Sequence, residues 1–216
     1  MKRLFYIPVV ALLFSSCELN ELPKAGATEE DIFGSESGLK NYSNSFYRNI
    51  TSGSDAYKGD AMADYSAVNS LNDFMVGGAY SAEISSGWSW TTLRNINQLI
   101  AKCNSPKLTD AIKNNYIGLA RFFRAWFYYE KVVRFGDVPW VDHPLAVDET
   151  DILKAPRDSR EVVMKHIMED LDFAYTNITN TGGDGSTVNK WTALGLKTRI
   201  ALFEGTFRKY HKLNLA

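Results

Sequence analysis

The sequence predicts an all-α fold of stacked helical hairpins, interrupted by one long irregular segment. Three observations carry this. Apolar residues recur at three- and four-residue spacing in five separate stretches, the period of a helix with one buried face. Strand-type alternation is nearly absent. The later stretches are joined by short connections, which turn consecutive helices back on one another.

Each element has its own local signature. Thr28-Glu-Glu-Asp places a capping hydroxyl before acidic first-turn residues, a helix start. A second start at residues 35–37 leads into Leu39, Tyr42, Phe46 and Ile50 at helical spacing. Across residues 52–90 neither period persists. Gly53, Gly59, Gly77, Gly78 and Gly87 punctuate a run of Ser, Asn and Asp, and irregular segments of that length in compact domains are often functional. Leu93, Ile96, Ile100 and Cys103 then line a helix that ends before Pro106. The next helix begins near Thr109 and runs to Arg134 or Phe135. Its main apolar face is predicted as Ile112, Tyr116, Leu119, Phe123, Trp126 and Val133, widened by Phe122, Phe127, Tyr128 and Tyr129. A helix apolar nearly all round needs several neighbours. Gly136 stops it, since glycine adopts a left-handed backbone at little cost. Two prolines make residues 137–144 extended. Asp158-Ser-Arg-Glu caps a further helix with Val162, Val163, Ile167, Leu171 and Ala174 on its face. The last helix, over residues 189–208, carries Ala193, Leu196, Ile200 and Phe203.

The amino terminus addresses the chain to a membrane surface. Lys2 and Arg3 precede an apolar run over residues 4–14, then Ser15, Ser16 and Cys17. That run is too short to span a bilayer and has the layout of a secretory signal. Phe-Ser-Ser-Cys resembles the bacterial lipobox, which implies cleavage after Ser16 and acylation of Cys17. Two or three acyl chains on one residue anchor a protein stably. The expected organisation is a signal peptide at 1–16, a tether at 17–27 and a helical domain at 28–216.

Charge and composition remove several function classes. The formal net charge is −1 and no Lys/Arg stripe emerges, which argues against a nucleic-acid partner. With Cys17 acylated, Cys103 has no disulfide partner and reads as a small buried residue. His143, His166 and His211 lack metal-ligand spacing, so no metal is expected. No phosphate loop or nucleophile elbow occurs, no cofactor is implied, and no residue is singled out as catalytic. Arg121, Arg124 and Arg134 interrupt the long apolar helix and need partners, for which Glu130 and Asp137 are the candidates.

Small residues set among large ones, Ala120 and Ala125 among Phe and Trp, Ala193 and Ala201 among Leu and Ile, suit the close helix approach of tetratricopeptide-type repeats. The segment Gly118-Leu-Ala-Arg-Phe-Phe-Arg-Ala-Trp-Phe-Tyr-Tyr-Glu-Lys-Val-Val-Arg-Phe-Gly-Asp-Val-Pro-Trp-Val resembles the hallmark of the SusD/RagB family of surface glycan-binding lipoproteins. Trp90-Thr-Thr-Leu-Arg-Asn-Ile-Asn-Gln-Leu-Ile and the stretch from Val188 to Gly205 resemble two further family helices. The resemblance implies a tetratricopeptide-like fold and an outer-membrane location facing the exterior. It also implies an oligosaccharide ligand and a SusC-like TonB-dependent transporter as partner. Family members are considerably longer, so the chain reads as their N-terminal part, and its last helix should present an apolar face to a following element.

The resemblance places glycan contacts on the irregular segment. Trp88 is the expected stacking platform, because a flat aromatic face covers the C–H surface of a sugar while polar groups read its hydroxyls. Trp90 reads either as a second contact or as a core residue at a helix start. Asp64 and Tyr65 are the polar candidates. The competing readings are a scaffold lipoprotein, a non-functional fragment and a surface glycoside hydrolase.

Overall fold

The structure is a computed structural model that describes residues 26–50, 87–182 and 185–213. Regular structure among them is helical: α1 (Glu29–Phe33), α2 (Glu36–Asn44), a 3₁₀ turn (Ser45–Asn49), α3 (Thr91–Lys102), α4 (Asp110–Phe135), α5 (Thr150–Leu153), α6 (Arg160–Asn177) and α7 (Lys190–Tyr210). A lone antiparallel bridge joins Val138 to Asp158. Cys17, Asp64 and Tyr65, with the signal, most of the tether and residues 51–86 of the irregular segment, lie outside the described residues.

The helix starts follow from side-chain caps. At α1, Thr28 accepts from the Asp31 amide while the Asp31 carboxylate accepts from the Thr28 amide. Ser35, Thr109 and Ser159 cap α2, α4 and α6, and Asn189 caps α7. Gly136 ends α4 with φ of 70° and donates to the Val132 carbonyl. A Cβ there would meet nothing within 4 Å, so the backbone angle and not space calls for glycine. The second helix is shorter than its apolar spacing predicts. The Ser43 and Ser45 hydroxyls donate back to the Lys40 and Tyr42 carbonyls and compete with the helical pattern. The chain tightens into the 3₁₀ turn, which still buries Phe46.

Helix α4 is the centre of the core. It lies along α6 on one side and meets α2 and α3 on another, and α7 packs chiefly on α6. Ala120 and Ala125 are fully buried, and a Cβ on Gly118 would lie 3.3 Å from the Ile178 side chain, so small residues permit the close approach. With neighbours on two sides, no single stripe is buried. Phe122, Phe123, Phe127 and Tyr128 are inside, whereas Trp126 is half-buried and Val133 exposed, contrary to the stripe predicted from spacing. On α6, Val163 and Met164 face the core and Val162 faces out, a similar correction. Cys103 is buried, and burial pushes its thiol up to about 11.

On α7, Ala193, Leu196 and Ile200 meet the core, while Trp191, Leu202 and Tyr210 are exposed. Buried Glu204 receives Arg160 at 2.6 Å and Arg208 at 2.9 Å. Burial opposes its ionisation, but these guanidinium hydrogen bonds outweigh it and hold the carboxyl below its usual range. No helix among the described residues is long and apolar enough to cross a membrane.

Candidate functional site

The site is built on residues 137–144, an extended strap that leaves α4 at Gly136 and crosses three helices. Tyr128, fully buried on α4, accepts from the Val141 amide at 2.7 Å and donates to the Pro139 carbonyl at 3.2 Å. Burial pushes its phenol well above the usual tyrosine value, so it stays a neutral donor. Asn97 of α3 donates to the Val141 carbonyl at 2.9 Å. Arg124 of α4 donates to the Asp142 carbonyl at 3.1 Å and to Asn97 Oδ1 at 3.2 Å. Its other nitrogens form a two-point pair with Asp170 of α6, at 2.6 and 2.8 Å. Trp140 closes the arrangement, with its ring 4.3 Å from that of Tyr128 and stacked 4.6 Å from His166.

This network corrects the sequence assignment of the arginine partners. Neither Glu130 nor Asp137 receives Arg124; Asp170, on the neighbouring helix, does. Arg121 lies 3.7 Å from the same carboxylate and 4.2 Å over the Phe173 ring. Asp137 instead accepts from the Arg160 amide and helps to start α6. Asp137 is held at the start of α6 by the Arg160 amide, whereas Asp170 lies where α6 runs alongside Arg124.

Between the strap, the start of α3 and the segment around α5 lies an open cleft of about 620 Å³. Leu93, Val141 and Ile152 form part of its apolar wall, and Trp88 and Trp90 stand at one side. The two indoles take different roles. Trp90 is half-buried at the N-cap of α3, edge-on to Phe127 and Tyr128, and serves as a wall. Trp88 is 42% exposed and follows Gly87, whose φ is 96°. It meets Trp90 edge-on at 5.1 Å and Phe135 at 4.9 Å, which fixes its plane, while Lys131 donates to the Gly87 carbonyl. The Arg157 guanidinium lies 4.7 Å over the Trp88 ring. Spacing alone pointed to neither Arg94 nor Arg157. Both line the cleft from loop or helix positions that no local pattern marks.

At the far end of the strap, His143 is clasped between two carboxylates. Nδ1 lies 2.9 Å from Asp142 and Nε2 lies 2.9 Å from Glu149, whose other oxygen accepts from the Ala146 amide. An ionised carboxylate only accepts, so only the imidazolium satisfies both contacts. The hydrogen bonds to Asp142 and then Glu149 raise the histidine above its ordinary value. Asp142 is lowered first by His143, and Glu149 first by the Ala146 amide and then by His143. The histidine contribution is therefore full below about pH 6.5 and fades as pH rises through the raised value. The carboxylate contribution is present above about pH 4 and fades on acidification. The clasp is tightest between these limits. Titration of the His143 ring by NMR should give a midpoint above the ordinary histidine value, and Glu149→Gln should lower it. A midpoint that Glu149→Gln leaves in place would show that the contact does not form in solution.

Among the described residues no group of three His, Cys, Asp or Glu could hold a metal ion. A family profile described as "Starch-binding associating with outer membrane" matches residues 35–213. The chain belongs to the SusD-like family. Two curated SusD-like proteins of Formosa agariphila are similar to it. One is 26% identical over 141 residues, covering 64% of this chain and 28% of that protein. The other is 23% identical over 235 aligned positions, covering 94% and 44%. A SusD-like protein of Bacteroides fragilis matches the fold with a TM-score of 0.64 and 22% identity, covering 84% of this chain and 37% of that one. A SusD-like carbohydrate-binding protein from the same organism matches with a TM-score of 0.66 and 19% identity, covering 82% and 39%. The chain thus spans less than half the length of these relatives. The fold is that of SusD-like structures, helical and tetratricopeptide-like, as the sequence predicts.

Proposed function

We propose that this SusD-like chain is a cell-surface glycan-binding lipoprotein, held on the outer membrane by acyl chains on Cys17. It passes oligosaccharide to a SusC-like TonB-dependent transporter. The observation that carries the reading is the cleft with Trp88 half-exposed and fixed in plane beside Trp90. The family description, starch-binding and outer-membrane association, supports it. Asp64 and Tyr65, on the same irregular segment of the sequence, are the residues proposed to read hydroxyl groups.

Binding suits the cleft better than hydrolysis. A glycosidase keeps one carboxyl protonated as general acid. Among the described residues, the carboxylates that flank His143 of the cleft wall, Asp142 and Glu149, are both held below their usual range and both engaged by that histidine. The alternative is a scaffold role, in which the exposed Trp191, Leu202 and Tyr210 of α7 would be the residues a protein partner meets.

Cells carrying the chain, exposed to labelled neutral and acidic oligosaccharides, test the proposal. Surface label should appear with the parent, fall at least several-fold with Trp88→Ala and less with Trp90→Ala. Cys17→Ala should release the protein from the membrane and abolish acyl labelling. Affinity should be weak, because a few exposed contacts must first offset the freedom lost on binding. Retention of Cys17→Ala on the membrane would sink the anchor. Absence of label on every sugar, with the protein correctly placed, would leave the scaffold reading.

A further inference from the structure

We infer that the cleft selects sugars bearing a fixed negative charge, a uronic acid or a sulfate ester, with Arg94 and Arg157 as the anion-reading residues. The inference rests on the glycan-binding reading above and names its ligand class. The charged side chains on the described cleft wall are Arg94, His143 and Arg157, all of cationic type. His143 stands between two carboxylates, Asp142 and Glu149, so that cluster is negative rather than positive on balance and the anion reading falls to Arg94 and Arg157 alone. Arg94 and Arg157 have no carboxylate within ion-pair distance among the described residues, unlike Arg124 and Arg160, which are paired. Asp158, next in the chain to Arg157, turns its Oδ2 to the Trp140 amide at 2.7 Å and forms no ion pair with Arg157.

Position matters as much as charge. Arg157 rests on the one exposed indole of the site, 4.7 Å from the ring centroid. A sugar that approaches Trp88 therefore meets a planar guanidinium at the ring, whose paired N–H groups match a carboxylate or sulfate. A sugar of either kind that stacks on the face Arg157 covers must displace the guanidinium. A neutral sugar gains no ion contact in return, whereas the carboxylate or sulfate of an acidic one pairs with the displaced guanidinium. Arg157 is thus a selectivity residue with opposite effects on the two ligand types.

The purified chain is titrated with oligogalacturonate and with its methyl ester, and with a sulfated galactan oligosaccharide and its desulfated form. The expected result is binding of at least one acidic form about tenfold tighter than its neutral counterpart, a difference that shrinks at high salt. Which acidic form wins distinguishes carboxylate from sulfate. Arg94→Gln and Arg157→Gln should each weaken the acidic form several-fold, and Arg157→Gln should tighten the neutral counterpart. Both arginines are exposed, so the variants should retain the parent's circular dichroism. Equal binding of charged and neutral partners, with the same salt dependence, overturns the charge selection and leaves glycan binding intact. Equal losses on both ligand types from Arg157→Gln overturn its assigned role. If none of the four oligosaccharides binds, the selection and the glycan reading fall together.

Discussion

Replacing Asp170 with Ala should destabilise the fold by about 3–5 kcal/mol, the range for a buried ion pair deprived of one partner. Arg124 and Asp170 are only 5% and 2% exposed, so the guanidinium left behind could not rehydrate without opening the α4–α6 contact. The loss would also reach the cleft. Arg124 is one of the groups holding the strap, through the Asp142 carbonyl and Asn97. Denaturant unfolding of the variant measures the first effect, and weakened glycan binding at conditions where it remains folded measures the second. A double replacement, Arg124→Met with Asp170→Leu, should recover part of the stability: the buried guanidinium is gone, while Arg121, 3.7 Å from Asp170 and 31% exposed, loses that carboxylate but keeps contact with water. It should not restore the strap fully, since the Asp142 carbonyl would have lost its Arg124 donor. A loss below about 1 kcal/mol for Asp170→Ala, the usual worth of a surface pair, would show that water reaches the site.

Phe123→Ala should cost a similar 3–5 kcal/mol, and more than Trp126→Ala despite the smaller side chain removed. Phe123 is 2% exposed, and its ring lies 5.6 Å from Phe46 and 5.0 Å from Tyr47, tying α4 to the amino-terminal turn. Trp126 is half-buried, so part of its surface is already in water and removal leaves a smaller void. Thermal or denaturant unfolding of both variants decides the order. The reverse order would mean that Trp126, not Phe123, is the better-packed ring in solution. A loss of this size is a large share of a typical domain stability of about 5–15 kcal/mol.

The helical class, the capped starts at Thr28 and Ser159, the helix starts near Thr109 and Asn189, and the stop at Gly136 were all legible in the sequence. Each is decided within about one helical turn, by a side chain reaching a nearby amide or by a backbone angle that glycine takes freely. The buried faces were less legible. Val133 and Val162 satisfy the spacing yet face outward, because burial on α4 and α6 depends on which sides carry a neighbour. Trp88 was recognisable as a candidate from its aromatic type and its place after Gly87, and the structure leaves it half-exposed at the cleft. Arg94 and Arg157 carried no such mark. Sixty-odd positions separate them in the chain, and only folding sets them on one wall.

The sequence by itself determined what short-range forces control: the all-α character, where the long helices begin, the stop at Gly136, and the family motif along α4. Only the tertiary structure decided that Arg124 pairs with Asp170, that the strap is hung from Tyr128, Asn97 and Arg124, and that Arg157 lies on Trp88. The reason is physical. A buried charge or an exposed ring takes whatever partner the packing of distant helices delivers, and that geometry has no signature at any local spacing.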